Sequence, residues 1–109
     1  MRVCGLAHPP DETEPVMHAV IRAYSGNSEL ADVLVERADE VRQVIGGVEG
    51  FQAYYVLKLA EGTSTVGIFD TQAGAEESSR AAAAWLTEAV PDLNVQAPYV
   101  TAGEVVLSF

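Results

Sequence analysis

Cysteine is nearly absent from this sequence. Cys4 is its one thiol, so no intramolecular disulfide can form and nothing implies an oxidising compartment. Basic residues are also scarce: six Lys and Arg stand against sixteen Asp and Glu, for a formal net charge of −10. Affinity for nucleic acid rests on Lys and Arg displacing counterions from phosphates, so nucleic acid is not an expected partner. The acidity reads instead as a solvated surface. Long apolar runs are missing too. The longest, residues 81–86, is far too short to cross a bilayer, and no charged-then-apolar leader opens the chain. The expected location is the cytoplasm, away from any membrane.

Catalytic signatures are equally thin. There is no Gly-x-Ser-x-Gly elbow, no P-loop, no Gly-x-Gly-x-x-Gly and no His-Glu-x-x-His. His8 and His18 stand far apart, with no cysteine or carboxylate pattern of metal-ligand spacing around them, so no metal site is expected.

What the chain does have is apolar substance, 49% of its 109 residues, which suits one globular domain. A domain this small buries a thin core, and pairing with a second copy would add to it. Residues 1–15, with Pro9, Pro10 and Pro15 among acids, read as a tail, leaving 16–109 as the folded unit.

Residues 17–24 alternate as a strand, with Met17, Ala19, Ile21 and Ala23 on one face and His18, Val20, Arg22 and Tyr24 on the other. After the turn Ser25-Gly26-Asn27, a cap by Asn27 or Ser28 opens a helix running to about Ile45. Leu30, Val33, Leu34, Ala38, Val41, Val44 and Ile45 form its apolar stripe. Gly46-Gly47 offers a left-handed stop. Phe51–Leu59 is aromatic and β-branched, hence a strand; Glu61-Gly62-Thr63 turns the chain, and 63–70 returns. Asp70 or Thr71 caps a second helix with Ala75, Ser78, Ala82, Trp85, Leu86 and Ala89 inward, and Pro91 ends it. Residues 99–109 read as a last strand, bulged or bent at Ala102-Gly103. The order β-α-β-β-α-β predicts an α+β, ferredoxin-like two-layer sandwich with an antiparallel four-stranded sheet.

Two helices cover one face of such a sheet. The other face should then be polar, yet both faces are apolar here. Phe51, Ala53, Tyr55, Leu57 and Leu59 oppose Gln52, Tyr54, Val56 and Lys58, and Val105, Leu107 and Phe109 oppose Glu104, Val106 and Ser108. A second sheet packed on the open face would satisfy both, which predicts a homodimer.

Two stretches carry a family likeness. They are Val48-Glu49-Gly50-Phe51-Gln52-Ala53-Tyr54-Tyr55, and Gly67-Ile68-Phe69-Asp70-Thr71 followed by residues 73–85. With these, residues 17–109 resemble the dimeric α/β-barrel superfamily, in particular its antibiotic biosynthesis monooxygenase-like branch. The resemblance implies a dimeric α/β barrel with a ligand space between sheet and helices. It also implies an activity such as cofactor-independent oxygenation of an aromatic substrate; a non-catalytic dimeric binding or accessory module is the alternative. An isomerase or decarboxylase from elsewhere in the superfamily is a third. If the strand registers match, Ile21, Ala23, Tyr54, Val56, Val66, Ile68 and Trp85 look into the ligand space, while Arg22, Tyr24 and Tyr55 face the dimer side. The haem-degrading members of the family resemble this chain least. They use an axial histidine on the second helix and an asparagine on the first strand, and this sequence has neither there.

The ligand-binding candidates are therefore Tyr54, Trp85, Arg22 and Tyr24, with no catalytic residue singled out. Trp85 could stack on a flat ligand and hold a carbonyl with its indole N–H, or simply anchor the core. Tyr54 and Tyr55 point to opposite faces, so at most one phenol serves a given pocket, and strand packing is the plainer role for both. Arg22 on a central strand needs a partner, either an ion pair such as Glu104 or an anionic ligand.

Overall fold

The structure, a computed structural model, describes residues 16–109; the expected tail over 1–15, with Cys4 and His8, lies outside the described residues. The elements follow the expected order. Strand β1 is His18–Ser25, helices α1 and α2 are Glu29–Glu36 and Ala38–Gly46, and strands β2 and β3 are Phe51–Leu59 and Gly62–Phe69. Helix α3 is Gln72–Ala89, a 3-10 turn covers Pro91–Leu93, and strand β4 is Tyr99–Glu104. The sheet is antiparallel in the order β2-β3-β1-β4, the ferredoxin-like arrangement. No helix among the described residues is long and apolar enough to cross a membrane.

The first helix is not continuous. Arg37 leaves helical geometry (φ −108°, ψ 33°) and divides it into α1, which lies on β2 and β3, and α2, which turns to pack on α3. The break lets two short amphipathic pieces each find a buried surface that one straight helix could not reach. Ala38, just past the break, is consequently exposed rather than part of the stripe. Arg37 also reaches across to donate to the Ala89 carbonyl at 3.1 Å, a cation on the C-terminal end of α3.

The start of α1 is capped from a distance. Neither Asn27 nor Ser28 supplies a side-chain cap. Instead Thr63 of β3 accepts from the Ala31 N–H at 3.0 Å and donates to the Asn27 carbonyl at 2.7 Å. Gly46-Gly47 is likewise not the left-handed stop, since Gly47 is right-handed at φ −82°. The chain reverses at Gly50 (φ 87°), where a Cβ would come within 3.1 Å of Asp70. Thr71 caps α3 as expected, accepting from the Gly74 N–H.

The largest corrections concern the strand faces. Val20, Arg22 and Tyr24 point inward to the helices, and Arg22 is 1% exposed, so the dimer-side placement of Arg22 and Tyr24 does not hold. Ile21, Val66 and Ile68 lie in register on the opposite, open face with Ala19 and Ala23. On β2 the face assignment holds from Ala53 onward: Tyr54 and Val56 pack on the core, and Tyr55 is 59% exposed. A bulge between Phe51 and Ala53 then shifts the phase and turns Phe51 inward, edge-on to Phe69. The bulge is thus on β2; β4 pairs without interruption through Ala102-Gly103 and ends at Glu104 rather than Phe109.

The core gathers Val20, Tyr24, Leu30, Leu34, Val41, Ile45 and Phe69 under small α3 residues, Ala75 and Ala82, which let that helix sit close to the sheet. Leu30 is fully enclosed, so Leu30→Ala should cost about 2–5 kcal/mol in urea unfolding. Val35→Ala, at an exposed position of the same helix, should change stability by no more than about 0.5 kcal/mol.

Candidate functional site

Helix α3 packs over β1 and β3, and α1 and α2 lie over β2 and β3, so the helix side of β4 is left uncovered. Val100, Ala102 and Glu104 are exposed there although they share a face with Arg22. The segment after α3 returns alongside and closes the far wall. The result is a cleft of about 480 Å³ bounded by α3, residues 90–98, β1 and β4, within the range of small-molecule sites.

Its polar floor comes from β1. Arg22 Nη1 donates to the hydroxyls of Ser78 (3.3 Å) and Ser79 (3.1 Å) on α3. Ser78 in turn donates to the Ala75 carbonyl at 2.7 Å. Arg22 Nε and Nη2 are buried and find no acceptor among the described protein atoms. Thr65, directly across the ladder from Arg22, also has a buried hydroxyl without a partner among the described residues. Glu104 is not the ion-pair partner: it lies opposite His18, at the far end of the strand pair, and is exposed. Tyr24 stands two residues along β1 and also lines the cleft. Burial pushes its phenol above the ordinary 10.0, with the nearby guanidinium of Arg22 pulling the other way.

The cleft unites Arg22 and Tyr24 but not the other two candidates. Tyr54 and Trp85 flank a neighbouring gap of only about 20 Å³, shared with Tyr24 and Leu86, room for about one water. The Trp85 indole N–H is engaged as well, donating to Glu40 of α2 at 3.2 Å and tying two helices together. Trp85 and Tyr54 are packing groups in this arrangement, with Tyr24 and Leu86 forming the partition between gap and cleft.

Sequence reasoning passed over Ser79, Thr87, Asn94 and Gln96, which bring hydroxyls and amides to the cleft wall. The signal available was the stretch Pro91–Pro98, where two amide side chains sit between prolines in a segment too irregular for a strand. Asn94 takes a left-handed conformation (φ 55°), which Asn tolerates better than most residues. A second groove of about 430 Å³ continues along β4 past Ser79 to His18 and Glu104. No group of three or more His, Cys, Asp or Glu among the described residues is placed to hold a metal ion.

No family sequence model matches the chain, and no curated protein matches it by sequence. Solved structures do match. The haem-degrader MhuD from Mycobacterium tuberculosis, with two haems bound in its active site, aligns with a TM-score of 0.62 at 16% identity, over 84% of this chain and 98% of that one. A candidate antibiotic biosynthesis monooxygenase from Nitrosomonas europaea aligns with a TM-score of 0.62 at 12% identity, over 93% and 96%. A dimeric ferredoxin-like protein from an uncultured marine organism gives 0.60 at 13%, over 86% and 97%. The fold is the ferredoxin-like α+β fold that these structures share. At these identities the likeness extends to architecture, and within this fold the cleft beside β4 is defined by the chain's own residues.

The raised Tyr24 phenol has a consequence at alkaline pH. The folded state holds that proton more tightly than the unfolded state, so its contribution is intact below about pH 10 and is lost as pH rises through the folded value. Urea midpoints measured from neutral to alkaline pH should fall more steeply above about pH 10 for the wild type than for Tyr24→Phe.

Proposed function

We propose that the chain is a homodimer whose β4 cleft binds a small, electron-rich aromatic molecule and promotes its oxidation by O₂ with no resident cofactor. The observation that carries this reading is the open cleft with Arg22, Tyr24 and Ser79 converging on one end of it. Apolar Leu86, Val90 and Val95 line the remainder and suit a ring system. A phenol or enol held there could lose a proton and pass electrons to O₂ itself, as in the conversion of a ring CH₂ and O₂ to a ring C=O and water. The protein's part is to orient the ring, exclude water and stabilise the developing oxyanion, the last falling to Arg22 and Tyr24.

A bound haem does not fit these residues. Helix α3 offers no histidine, and among the described residues the cleft lining offers neither histidine nor cysteine to an iron. A binding module without catalysis is the second reading. It is favoured by the small size of the Tyr54–Trp85 gap and by the engagement of the indole N–H with Glu40.

Support for the homodimer comes from the open face of the sheet. Ile21 is 40% exposed, Tyr55 59% and Tyr99 78%, and Leu57 and Leu59 lie in the open beside them. An apolar surface of this kind is expected to be covered by its own symmetry mate.

Light scattering should give the mass of two chains, and Tyr55→Glu should yield a folded monomer by circular dichroism. Oxygen uptake with an anthrone should fall on the order of 10²-fold in Tyr24→Phe, the size of a lost oxyanion donor. Tyr54→Phe should stay within about threefold of the wild type, since its ring serves packing. Absence of uptake would leave the binding-module reading in its place, and uptake that ignores Tyr24 would remove Tyr24 from the mechanism.

A further inference from the structure

Among the described residues, three of the four surface cations have carboxylate neighbours, and the fourth, Arg42, is exposed to water. Arg37 lies 3.7 Å from Glu40, Lys58 3.0 Å from Asp32 and Arg80 2.8 Å from Glu77. The buried cation does not. Arg22 is in no ion pair among the described residues, and the residues lining the cleft against it include no Asp or Glu. Its hydrogen bonds run to two neutral hydroxyls, both from one nitrogen, Nη1, and the Tyr24 phenol stands close enough to interact with it. Its cross-strand neighbour Thr65 is neutral as well, and burial holds the Tyr24 phenol in its neutral form. A guanidinium withdrawn from water without a counter-charge is costly, and native proteins rarely leave one so. With two N–H-bearing nitrogens lacking acceptors, the missing partner is both an anion and a hydrogen-bond acceptor.

We propose that the cleft is an anion site: an aromatic ligand places a carboxylate or enolate oxygen against Arg22 and Ser79, and its ring lies along Leu86, Val90 and Val95. This deepens the preceding reading and rests on the cleft being a ligand site. It narrows the ligand class to molecules that present a negative oxygen at one end and a flat apolar body at the other. Guanidinium favours such a partner because its planar fork matches two acceptor atoms at once. Arg22 here is a binding group, and Ser79, which holds Nη1 from the cleft side, is a positioning residue for it.

The discriminating pair of probes is naphthoate and naphthamide, equal in shape and different in charge. Titration calorimetry on the full chain should show the carboxylate binding about 10–100-fold tighter than the amide, the range expected of a hydrogen bond to a charged group. Arg22→Gln should bring the two within about threefold, and Arg22→Lys should keep part of the preference. Should Arg22→Gln not fold, Ser79→Ala decides. It removes one hydroxyl at a half-buried position, and it should weaken naphthoate several-fold while leaving naphthamide unchanged. A wild type that binds the probes equally, or binds neither, overturns the proposal, as does a preference that survives in folded Arg22→Gln. Oxygen uptake with an anthrone on the same preparations separates the two readings. Uptake without a carboxylate preference sinks the anion site alone, and an Arg22-dependent preference without uptake sinks the oxygenase alone.

Discussion

A permanent charge sits where a sheet and a helix meet. Alternation along β1 sends Val20, Arg22 and Tyr24 into the same layer, so the central strand cannot bury its apolar residues without burying Arg22 between them. The helix above accommodates this with small residues and hydroxyls: Ala75, Ser78 and Ala82 allow close approach, and Ser78 and Ser79 take one guanidinium nitrogen. A larger or wholly apolar face on α3 would either hold the helix away or leave the charge without any partner. The position of α3, and hence the strip of β4 left bare beside it, follows from how that charge is accommodated.

The uncovered strip and the uncovered sheet face are different in kind. Beside β4 the floor is polar at one end, and an irregular segment rich in proline and amides closes the space. On the reverse face the exposed groups are flat and apolar, Ile21, Tyr55 and Tyr99 foremost. The first surface is concave and chemically mixed, as ligand sites are; the second is broad and greasy, as a self-complementary interface is. One sheet thus presents both, and the alternation of its strands keeps them apart.

Much of this architecture could be read from residues alone, for reasons that also explain the failures. Helical and strand periods differ enough that element order, the span of β2 and the Thr71 cap all follow from local pattern. Facing was harder. Both faces of β1 carry apolar groups, and a period of two gives no sign of which face turns inward, so an error there reversed the placement of Ile21, Arg22 and Tyr24 together. On β2 a single extra residue near Gln52 put Phe51 and Tyr54 on one face, which strict alternation forbids. The break at Arg37 and the cap by Thr63 depend on partners far along the chain, which no local window contains. For the site, Arg22 and Tyr24 were visible as residues in want of an explanation. The cleft around them was not, because it is formed by what α3 leaves uncovered.

The Thr63 hydroxyl bears on how the chain folds. It joins the Asn27 carbonyl and the Ala31 amide, at the first turn of α1, to the second strand of a hairpin formed more than thirty residues later in the chain. A helix of eight residues is too short to persist alone, and this one has no side-chain cap of its own. Its first turn is therefore held by β3 rather than by its own sequence, so that the stability of the helix depends on the sheet. The loop between them must close for that bond to form, which makes it one of the long-range contacts that slow the folding of such a topology.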